Sequence, residues 1–538
     1  MAAGAALALL GPTGTAAATT GPLPPQDTAL FRHGIASGDP VPDGVLLWTR
    51  VTPTPDATPG SGRGAPTDVG WAVATDPDFR RIVKGGIVRA DPASDLTVKV
   101  DVRGLAADTR HWYRFGTRTG LSAVGATRTA PKPDAALARL RLGVVSCSNW
   151  QAGYFTPYRY LARRGDLDAV VHLGDYVYEY GPGEYGARGV TVRPHDPPKE
   201  MVTLEDYRRR HAQYKTDPDL QALHAQVPWI VTLDDHESAN DAYVDGAENH
   251  QPATEGPWPA RRAAALQAFR EWQPVRNSTA PVYRRLRFGR LAEISMLDLR
   301  SYRSKQADRS AAVDDPTRTI TGRDQLGFLV DGLTRSTAQW KLVGNPVVIA
   351  PVLVPPLPGG PAAAVPGLLK LPQGGVAINP DQWDGYTADR RTVFQALSDK
   401  KVRDAVFLTG DIHSSWANDL PIDAGTYPVT PSVGTEFVCT SVTSDNLDDQ
   451  TMSPPRTSSI AVETAIQTTN RHVKFLEFDS HGASVLDVTP QAVQMDWFYV
   501  SDRTNPQATL AHGRSWRTRT GTQQVEPVAG PVPVGARR

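Results

Sequence analysis

The first part of the chain alternates short runs of apolar and β-branched residues with turn-forming residues. After Phe31 these runs recur about every dozen residues, with Gly, Pro and Asp between them. They cover residues 45–51, 69–76, 84–90, 96–104 and 111–120. Short strands at this spacing are typical of an antiparallel β-sandwich. We therefore predict an antiparallel β domain over residues 31–130.

Longer and almost wholly apolar runs begin at residue 140 and alternate with helix signals. Buried strands are predicted at 140–147, 168–175, 227–237, 290–300, 340–350, 404–413 and 435–444. Helix starts are predicted at Thr156-Pro157, at the capping-box pair Thr203 and Asp206, and at Pro259. Apolar strands that alternate with helices indicate the α/β class. We assign residues 140–500 to this second domain and residues 501–538 to a partly mobile C-terminal extension.

Composition and charge exclude several classes of protein. The 538 residues carry 57 basic and 57 acidic side chains, so the formal net charge is zero and a nucleic-acid-binding surface is not expected. The two cysteines, Cys147 and Cys439, exclude a disulfide scaffold but leave one bridge open. Beyond the N-terminus, no uncharged apolar run reaches the ~18 residues that a membrane span needs.

The N-terminus has two features of an export signal. Residues 2–10 are apolar, and Ala16-Ala17-Ala18 offers a small-residue cleavage site. No Lys or Arg precedes Arg32, so the basic region of such a signal is missing. Residues 1–30 are therefore interpreted as the remnant of an export signal, with a disordered terminus as the alternative.

Potential metal ligands follow the ends of five predicted strands. In α/β sheets, ligands bind beyond the carboxyl ends of the strands. One such Asp is usually a helix cap or turn residue, but five ends in one domain favour a metal site. Two cations that share a carboxylate can bind phosphate and activate water, while a nearby His protonates the leaving oxygen. The residues at these ends are Cys147, Asp175, Tyr178, Asp234, Asp235, His236, Glu237, Asn345, Asp411 and His413.

The order of these blocks resembles the calcineurin-like metallophosphoesterases, and most closely their PhoD-type alkaline phosphatase branch. The resemblance spans about residues 31–500 and implies a layered metallophosphoesterase β-sandwich core flanked by helices. It also implies that a fibronectin-like antiparallel domain precedes this core. The segments that carry the resemblance are FRHGIASGDPVPDGVLLWTRV (31–51), SCSNWQAGYF (146–155), HLGDYVYEYG (172–181), DDHESAND (234–241), WDGY (383–386), TGDIHSSW (409–416) and EFVCTSVTS (436–444).

The family resemblance also implies two kinds of metal ion. A ferric ion would be held by Cys147, Asp175, Tyr178 and His413, and thiolate, phenolate and imidazole ligands suit iron. Cys147 stands where most of the superfamily has Asp, and Asp411 replaces the first His of a Gly-His-x-His motif. The second site, formed by Asp175, Asp235, Asn345 and Asp411, would offer only oxygen, which suits Ca²⁺. Asn345 is placed by its position on a strand, without a sharp motif.

Other residues are assigned by their neighbourhood in the sequence. His236 is predicted to face the substrate as a proton donor, with a structural histidine as the alternative. Arg303 is predicted to clamp phosphate, and a surface salt bridge is the alternative. A Cys147–Cys439 disulfide would remove the thiolate that the iron site requires. The remaining polar or aromatic residues of these blocks are assigned to supporting or packing roles: His172, Glu179, Glu237, Trp383 and Tyr386.

The sequence thus predicts a secreted alkaline phosphatase that hydrolyses phosphomonoesters and also phosphodiesters with a metal-bound water. A phospholipase D-type phosphodiesterase is the close alternative, because that choice lies in loops such as 179–202 and 351–386. A non-catalytic secreted binding protein is the distant alternative. We expect a monomer that binds a phosphate ester and releases phosphate. Export by the twin-arginine route is expected, from a precursor that starts upstream of Met1.

Overall fold

The computed structural model describes residues 24–276, 281–307, 310–352 and 379–535, and these form 21 strands and nine α-helices. Residues 1–23, most of the segment interpreted as an export signal, lie outside the described residues. The strands are β1 Ile35–Val41, β2 Gly44–Arg50, β3 Thr67–Ala74, β4 Ile82–Ala90, β5 Thr97–Arg103, β6 Arg110–Gly116, β7 Gly125–Arg128, β8 Leu140–Val145, β9 Ala169–His172, β10 Trp229–Val231, β11 Arg284–Phe288, β12 Ala292–Met296, β13 Trp340–Asn345, β14 Ala405–Thr409, β15 Ser415–Pro421, β16 Ser432–Val438, β17 Val473–Glu477, β18 Gly482–Val488, β19 Ala492–Val500, β20 Leu510–Arg519 and β21 Val525–Val528. The helices are α1 Thr156–Arg164, α2 Leu204–Tyr214, α3 Pro218–His224, α4 Pro252–Glu255, α5 Trp258–Trp272, α6 Arg323–Arg335, α7 Thr387–Asp399, α8 Leu447–Gln450 and α9 Ser458–Thr469.

The described strands form three sheets. Ten strands lie in the order β21-β20-β19-β18-β8-β9-β10-β1-β2-β5, and seven lie in the order β11-β12-β13-β14-β16-β15-β17. The remaining four form the sheet β4-β3-β6-β7. Strands β8, β9 and β10 are parallel to one another, and so are β12, β13, β14 and β16. These mixed sheets with their helices agree with the predicted α/β class.

The two large sheets share a hydrophobic cluster. It joins Leu142 and Val144 of β8 to Ile294 of β12 and Leu342 of β13. Because both faces of β8 are covered, every residue of this strand is buried, as its continuous apolar sequence predicts. The ends of the parallel strands of both sheets are thereby held next to each other.

Helices cover the outer face of each large sheet. Helices α1, α2, α3 and α5 pack on the ten-stranded sheet, and α6, α7 and α9 pack on the seven-stranded sheet. Helix α2 begins with the predicted capping box, in which Thr203 and Asp206 exchange hydrogen bonds. Helix α1 differs from the prediction, because Thr156 lies within the helix and Phe155 occupies the cap position without a side-chain hydrogen bond.

The N-terminal segment is divided between two sheets. Strands β1, β2 and β5 extend the large sheet through the parallel pairing of β1 with β10, while β3, β4, β6 and β7 form the small sheet. Val45 and Val98 of the large sheet share a core with Val69 and Tyr113 of the small sheet. Two packed antiparallel layers are therefore present, but one of them continues into the second part of the chain.

The C-terminal segment is also part of the large sheet. Strand β20 pairs with β19 along its length, and β21 pairs with β20. Residues 510–528 are therefore largely ordered by backbone hydrogen bonds, which differs from the partly mobile extension predicted for 501–538. In the described ranges, no helix has the length and apolar character needed to cross a membrane.

Candidate metal centre

The predicted ligands meet where the parallel strands of both large sheets end. Cys147 follows β8 and Asp175 follows β9, while Asp411 and His413 follow β14. All four have left-handed backbone conformations, with φ of 60° at Cys147, 56° at Asp175, 66° at Asp411 and 51° at His413. Such values are uncommon for residues other than glycine and concentrate at functional sites. Each of these strands therefore ends in a sharp turn that directs a candidate ligand side chain towards the others.

Two glycines allow these turns to approach closely. A Cβ atom on Gly174, whose φ is 111°, would lie 2.5 Å from Cβ of Asp234 and 2.6 Å from its backbone nitrogen. A Cβ atom on Gly410 would lie 2.8 Å from the Oγ of Ser146. Larger residues would separate the loops that carry the ligands.

One group of side chains combines sulfur, oxygen and nitrogen. Ligand atoms of Cys147, Asp175 and His413 all lie within 4.8 Å of one another. The Tyr178 hydroxyl donates to Asp175 Oδ2 at 3.1 Å and lies 3.4 Å from His413 Nε2. All four predicted iron ligands are therefore brought together. The hydroxyl of Ser444 donates to that of Tyr178 at 2.6 Å and fixes its position.

Two features of this group fit a bound cation. His413 Nδ1 lies 2.7 Å from the carbonyl oxygen of Asp445, and a proton shared there leaves Nε2 free as a ligand. Asp175 Oδ1 is buried and has no hydrogen-bond partner within the described ranges. A buried carboxylate oxygen without a partner is costly unless a cation satisfies it.

A second group contains only carboxylates. Ligand atoms of Asp234, Asp235 and Asp411 lie within 4.8 Å of one another, and Asp235 also forms such a group with Asp175 and His236. The guanidinium of Arg300 pairs with Asp234 and lies 3.7 Å from Asp235 and 3.5 Å from Asp411. Three of the four predicted calcium ligands, Asp175, Asp235 and Asp411, are therefore adjacent.

The electrostatics of the two groups favour the binding of positive charge. Burial, with repulsion from neighbouring carboxylates, raises the pKa of Asp175 well above its usual range and the pKa of Asp411 to about 6. Burial and the charge of Asp175 also raise the pKa of the Cys147 thiol and the Tyr178 phenol. A bound cation would reverse these shifts, because it stabilises each deprotonated ligand.

His236 lies beside both groups and is held by Glu179. Its Nδ1 lies 2.7 Å from Glu179 Oε2, and its ring stacks on that of Tyr178 with the ring centroids 4.3 Å apart. Burial lowers the pKa of His236, but the charges of Glu179, Asp235 and Asp175 outweigh it and raise the pKa well above its usual value. His236 lines the open cleft, and Nε2 is the ring nitrogen that is not used in the contact with Glu179.

Two predicted site residues are not brought into the cleft. Arg303 is fully buried, and its guanidinium is bound to Asp381 Oδ1 at 2.6 Å and to the Tyr386 hydroxyl at 3.2 Å. The structure therefore does not support Arg303 as a phosphate clamp, since its donors are turned towards the protein. Asn345 Oδ1 accepts a hydrogen bond from the Trp383 indole at 2.9 Å, and Asn345 does not line the cleft. This oxygen is directed towards the core.

The remaining residues of these blocks have supporting positions. Glu237 accepts hydrogen bonds from the backbone of Asp175, Tyr176 and Asp234, so it holds two of the strand ends together. Cys439 is a free thiol in the core between the large sheets, and Cys147 is also free. The supporting roles predicted for Glu237 and Trp383 agree with their contacts.

Sequence reasoning missed Arg300 and Asp381. Arg300 stands three residues before Arg303, and nothing in LDLRSYR distinguishes the two arginines. Asp381 lies two residues before the WDGY segment and accepts hydrogen bonds from both arginines. Its position two residues before the WDGY segment could have identified Asp381 as a candidate.

A cleft of about 180 Å³ opens over the two groups. Part of its wall comes from the predicted specificity loops, through Tyr185 and Asp381, but residues 353–378 of the second loop lie outside the described residues. The lining residues are Asp175, Tyr185, Asp235, His236, Asn240, Asp241, Asn379, Asp381, Gln382, Asp411, Ile412, His413, Asp445, Asn446, Leu447, Gln450 and Phe478.

Comparisons with known proteins agree with this geometry. The family model for PhoD-like phosphatase matches residues 142–497, and the model for the N-terminal domain of PhoD-like phosphatases matches residues 15–131. The chain is 36% identical over 512 residues to alkaline phosphatase D of Bacillus subtilis (strain 168). This match covers 92% of the chain and 82% of the Bacillus protein.

A solved structure gives the same result for the fold. The structure named "Structure of PhoD" superposes with a TM-score of 0.82 at 34% sequence identity. The superposition covers 94% of this chain and 93% of the other. A family model that matches most of the chain, a relative at this identity and a shared fold together decide the assignment. The chain belongs to the PhoD-like phosphatase family.

Proposed function

We propose that this protein is a metal-dependent alkaline phosphatase that hydrolyses phosphate esters in the cleft beside His236. The observation that carries the proposal is the convergence of Cys147, Asp175, Tyr178 and His413 around a buried, unpartnered carboxylate oxygen. Its relative in Bacillus subtilis is named an alkaline phosphatase. The family and the site thus agree on a phosphoric ester hydrolase.

The first site is proposed to hold Fe³⁺. Its donors would be the Cys147 thiolate, the Tyr178 phenolate, His413 Nε2 and an Asp175 oxygen, and soft or anionic ligands of this kind suit iron. The hydrogen bond that Ser444 donates to the Tyr178 oxygen would remain once the phenol loses its proton.

The second site is proposed to hold Ca²⁺ between Asp175, Asp235 and Asp411. These carboxylates offer only oxygen, which hard cations prefer, and Asp175 is common to both groups. Asn345 is left out of this ligand set because its carboxamide oxygen accepts a hydrogen bond from Trp383.

The chain's own residues supply orientation and a proton. When bound, the metal ions would supply Lewis acidity and an activated water for attack on phosphorus. Glu179 accepts a hydrogen bond from His236 Nδ1, so Nε2 is the nitrogen that can donate a proton to the leaving oxygen. Burial lowers the pKa of His236, whereas Glu179, which is not a proposed metal ligand, raises it and so favours the protonated ring.

The activity is tested with substrates that differ in leaving group. His236→Ala should lower kcat by about 10²–10⁴-fold on an alkyl phosphate and much less on nitrophenyl phosphate, because nitrophenolate needs no proton to leave. The metal content of the variant should match that of the wild type. An equal loss on both substrates would remove His236 from the role of proton donor.

The same assay separates the alternatives. Turnover of nitrophenyl phosphate, its bis ester and phosphatidylcholine should place the protein among phosphatases, with the monoester and the bis ester both cleaved. Preference for phosphatidylcholine would make it a phospholipase D-type phosphodiesterase. No turnover of any ester by metal-loaded protein would leave only a binding function.

Four further expectations belong to this proposal. The cluster shared by the two large sheets supports a layered metallophosphoesterase core, and the paired layers of residues 31–130 support a fibronectin-like domain. Export is proposed from the apolar residues 2–10 and the alanines at 16–18, and the twin-arginine route is proposed because the metal centre would be loaded before export. We also propose a monomer, which light scattering would test.

A further inference from the structure

Arg300 holds its positive charge behind the carboxylates of the second site. Its side chain is 2% exposed, and it lines a separate small cavity with Leu233, Trp258 and Phe269 instead of the cleft. A substrate in the cleft therefore does not meet its guanidinium.

The guanidinium is shared among four carboxylates. It forms two hydrogen bonds with Asp234 and one with Asp381 Oδ1 at 3.0 Å. Its other contacts are ion pairs of 3.7 Å with Asp235 and 3.5 Å with Asp411. The last two carboxylates are the proposed calcium ligands that the iron site does not use.

The positive charge of Arg300, which lies 3.7 Å from Asp235 and 3.5 Å from Asp411, opposes a divalent cation bound between these carboxylates. Two charges of the same sign a few ångströms apart repel strongly in a poorly hydrated interior. The charge of the ligand set is one of the factors that determine calcium affinity, and Arg300 cancels part of that charge. The same contacts orient Asp235 and Asp411 before any cation binds, so the site is formed in advance.

We propose that Arg300 is a built-in counter-cation of the second metal site, which positions Asp235 and Asp411 and weakens their hold on a divalent cation. The cation bound there exchanges with solvent, whereas the cysteine-containing site retains its own. This inference rests on the proposed function, because it assumes a cation between Asp235 and Asp411.

Calcium binding to charge variants tests the proposal without reference to turnover. Exchangeable calcium is removed with a calcium-selective chelator, and Ca²⁺ is then titrated by calorimetry. Arg300→Gln should lower the Kd for Ca²⁺ by about tenfold or more, since it deletes the repelling charge. Arg300→Lys keeps the charge and should stay within about threefold of the wild type.

Arg303→Gln is the matched control. Arg303 is an equally buried arginine that also binds Asp381, but its ion pair within the described residues is with Asp381 alone. Its loss should change the Kd for Ca²⁺ by less than about threefold. If Arg300→Gln leaves the affinity unchanged or weakens it, Arg300 only supports the ligands and the counter-cation role is wrong.

Thermal unfolding tests the proposal even if Arg300→Gln folds poorly. Without calcium, Arg300→Gln should unfold at a lower temperature than the wild type, because its carboxylates repel one another. Added calcium should raise its Tm by more than it raises that of the wild type. Failure of calcium to restore folding would overturn the proposal. If the wild type binds no calcium, the second metal site itself is wrong, whereas ester hydrolysis is measured separately.

Discussion

The residues of the candidate metal centre are set apart by their backbone as much as by their side chains. Cys147, Asp175, Asp411 and His413 all have positive φ. Each such conformation costs of order 1–3 kcal/mol and persists only where surrounding contacts enforce it. Here the enforcing contacts include the carbonyl of Asp445 on His413 and the carboxylate of Glu237 on the backbone of Asp175. These contacts thus offset the cost of backbone conformations that direct the candidate ligand side chains towards one another.

Tyr178 distinguishes iron from other metals at the first site. A phenolate bound to Fe³⁺ absorbs visible light by charge transfer, so the purified protein should be coloured. Tyr178→Phe should remove this absorption band, since it deletes the phenolate oxygen, and Cys147→Ser should shift the band and lower the iron content. Visible absorption spectra and metal analysis of the purified variants check both outcomes.

Tyr176→Phe is the control for that experiment. Tyr176 is equally buried two residues away, but its hydroxyl lies 2.9 Å from His224 and outside the ligand groups. This variant should keep its colour and its iron. A colourless wild type, or a Tyr178→Phe protein with an unchanged spectrum, would favour a zinc-type site without a phenolate ligand.

The strand ends indicated the candidate ligands, and the family resemblance sorted them into two sites, but neither singled out Arg300. Cys147, Asp175, Tyr178, Asp411 and His413 follow strand ends, and strand ends are visible in the hydrophobic pattern. Arg300 and Arg303 lie in one irregular segment after β12, where no periodicity determines the direction of a side chain. Asn345 ends a strand, as predicted, but its amide meets the Trp383 indole, a contact 38 residues away.

At the scale of the elements, the turn after β9 depends on Gly174. Gly174→Ala would place a methyl group against the backbone of Asp234 in a conformation that alanine rarely adopts. The free energy of unfolding should fall by about 2–4 kcal/mol, and metal content should fall with it. Chemical denaturation and metal analysis measure the two effects.

Gly189→Ala is the matched control for the turn. Gly189 also has a positive φ, of 78°, but a Cβ atom there has nothing within 4 Å. This variant should lose only about 1 kcal/mol of stability and keep its metal. Equal effects of the two substitutions would mean that backbone strain, and not the close approach to Asp234, explains the result.

Helix α2 carries a buried histidine that makes stability depend on pH. Burial, with the charges of Lys215 and Arg210, lowers the pKa of His211 to about 3. The unfolded chain binds this proton below about pH 6.5, while the folded protein does not until about pH 3. His211 alone should therefore lower the free energy of unfolding by up to about 1.4 kcal/mol per pH unit within this window as the pH decreases.

His211→Gln should remove this contribution, because glutamine takes up no proton. Urea unfolding of wild type and variant is compared at several values between about pH 7.5 and 4. The difference between the two proteins should be constant above pH 6.5 and should then change steadily in favour of the variant. Parallel profiles over the whole range would contradict the assignment of the slope to His211.

The elements themselves were largely predictable, and their grouping into sheets was not. Strands β8, β9, β13 and β14 and helices α2 and α5 fall where apolar runs, caps and prolines place them. Sheet membership depends on contacts between distant residues, such as Gly38 of β1 beside Trp229 of β10. No local pattern near either residue indicates this pairing.

At the scale of the whole molecule, the N-terminal segment is part of the structure that carries the candidate metal centre. Asp39 pairs with Arg284 and accepts a hydrogen bond from the backbone of Arg276 at 2.7 Å. The Trp48 indole donates to the carbonyl of Glu271 at 2.8 Å, and its ring packs on Trp272. These contacts join residues before 131 to α5 and the segment after it.

The protein should therefore unfold as one cooperative unit, although its length would allow two. A variant that begins at residue 132 would expose the edge of β10 and the ring of Trp272, which packs on His33 and Trp48, so it should aggregate and lose phosphatase activity. Asp39→Asn weakens the junction alone and should cost about 3–5 kcal/mol, because it leaves the charge of Arg284 unpaired. Its calorimetric transition should move to lower temperature and remain single. Two separate transitions in the wild type or in Asp39→Asn would show that the two parts fold independently. A soluble and active fragment from residue 132 would show the same.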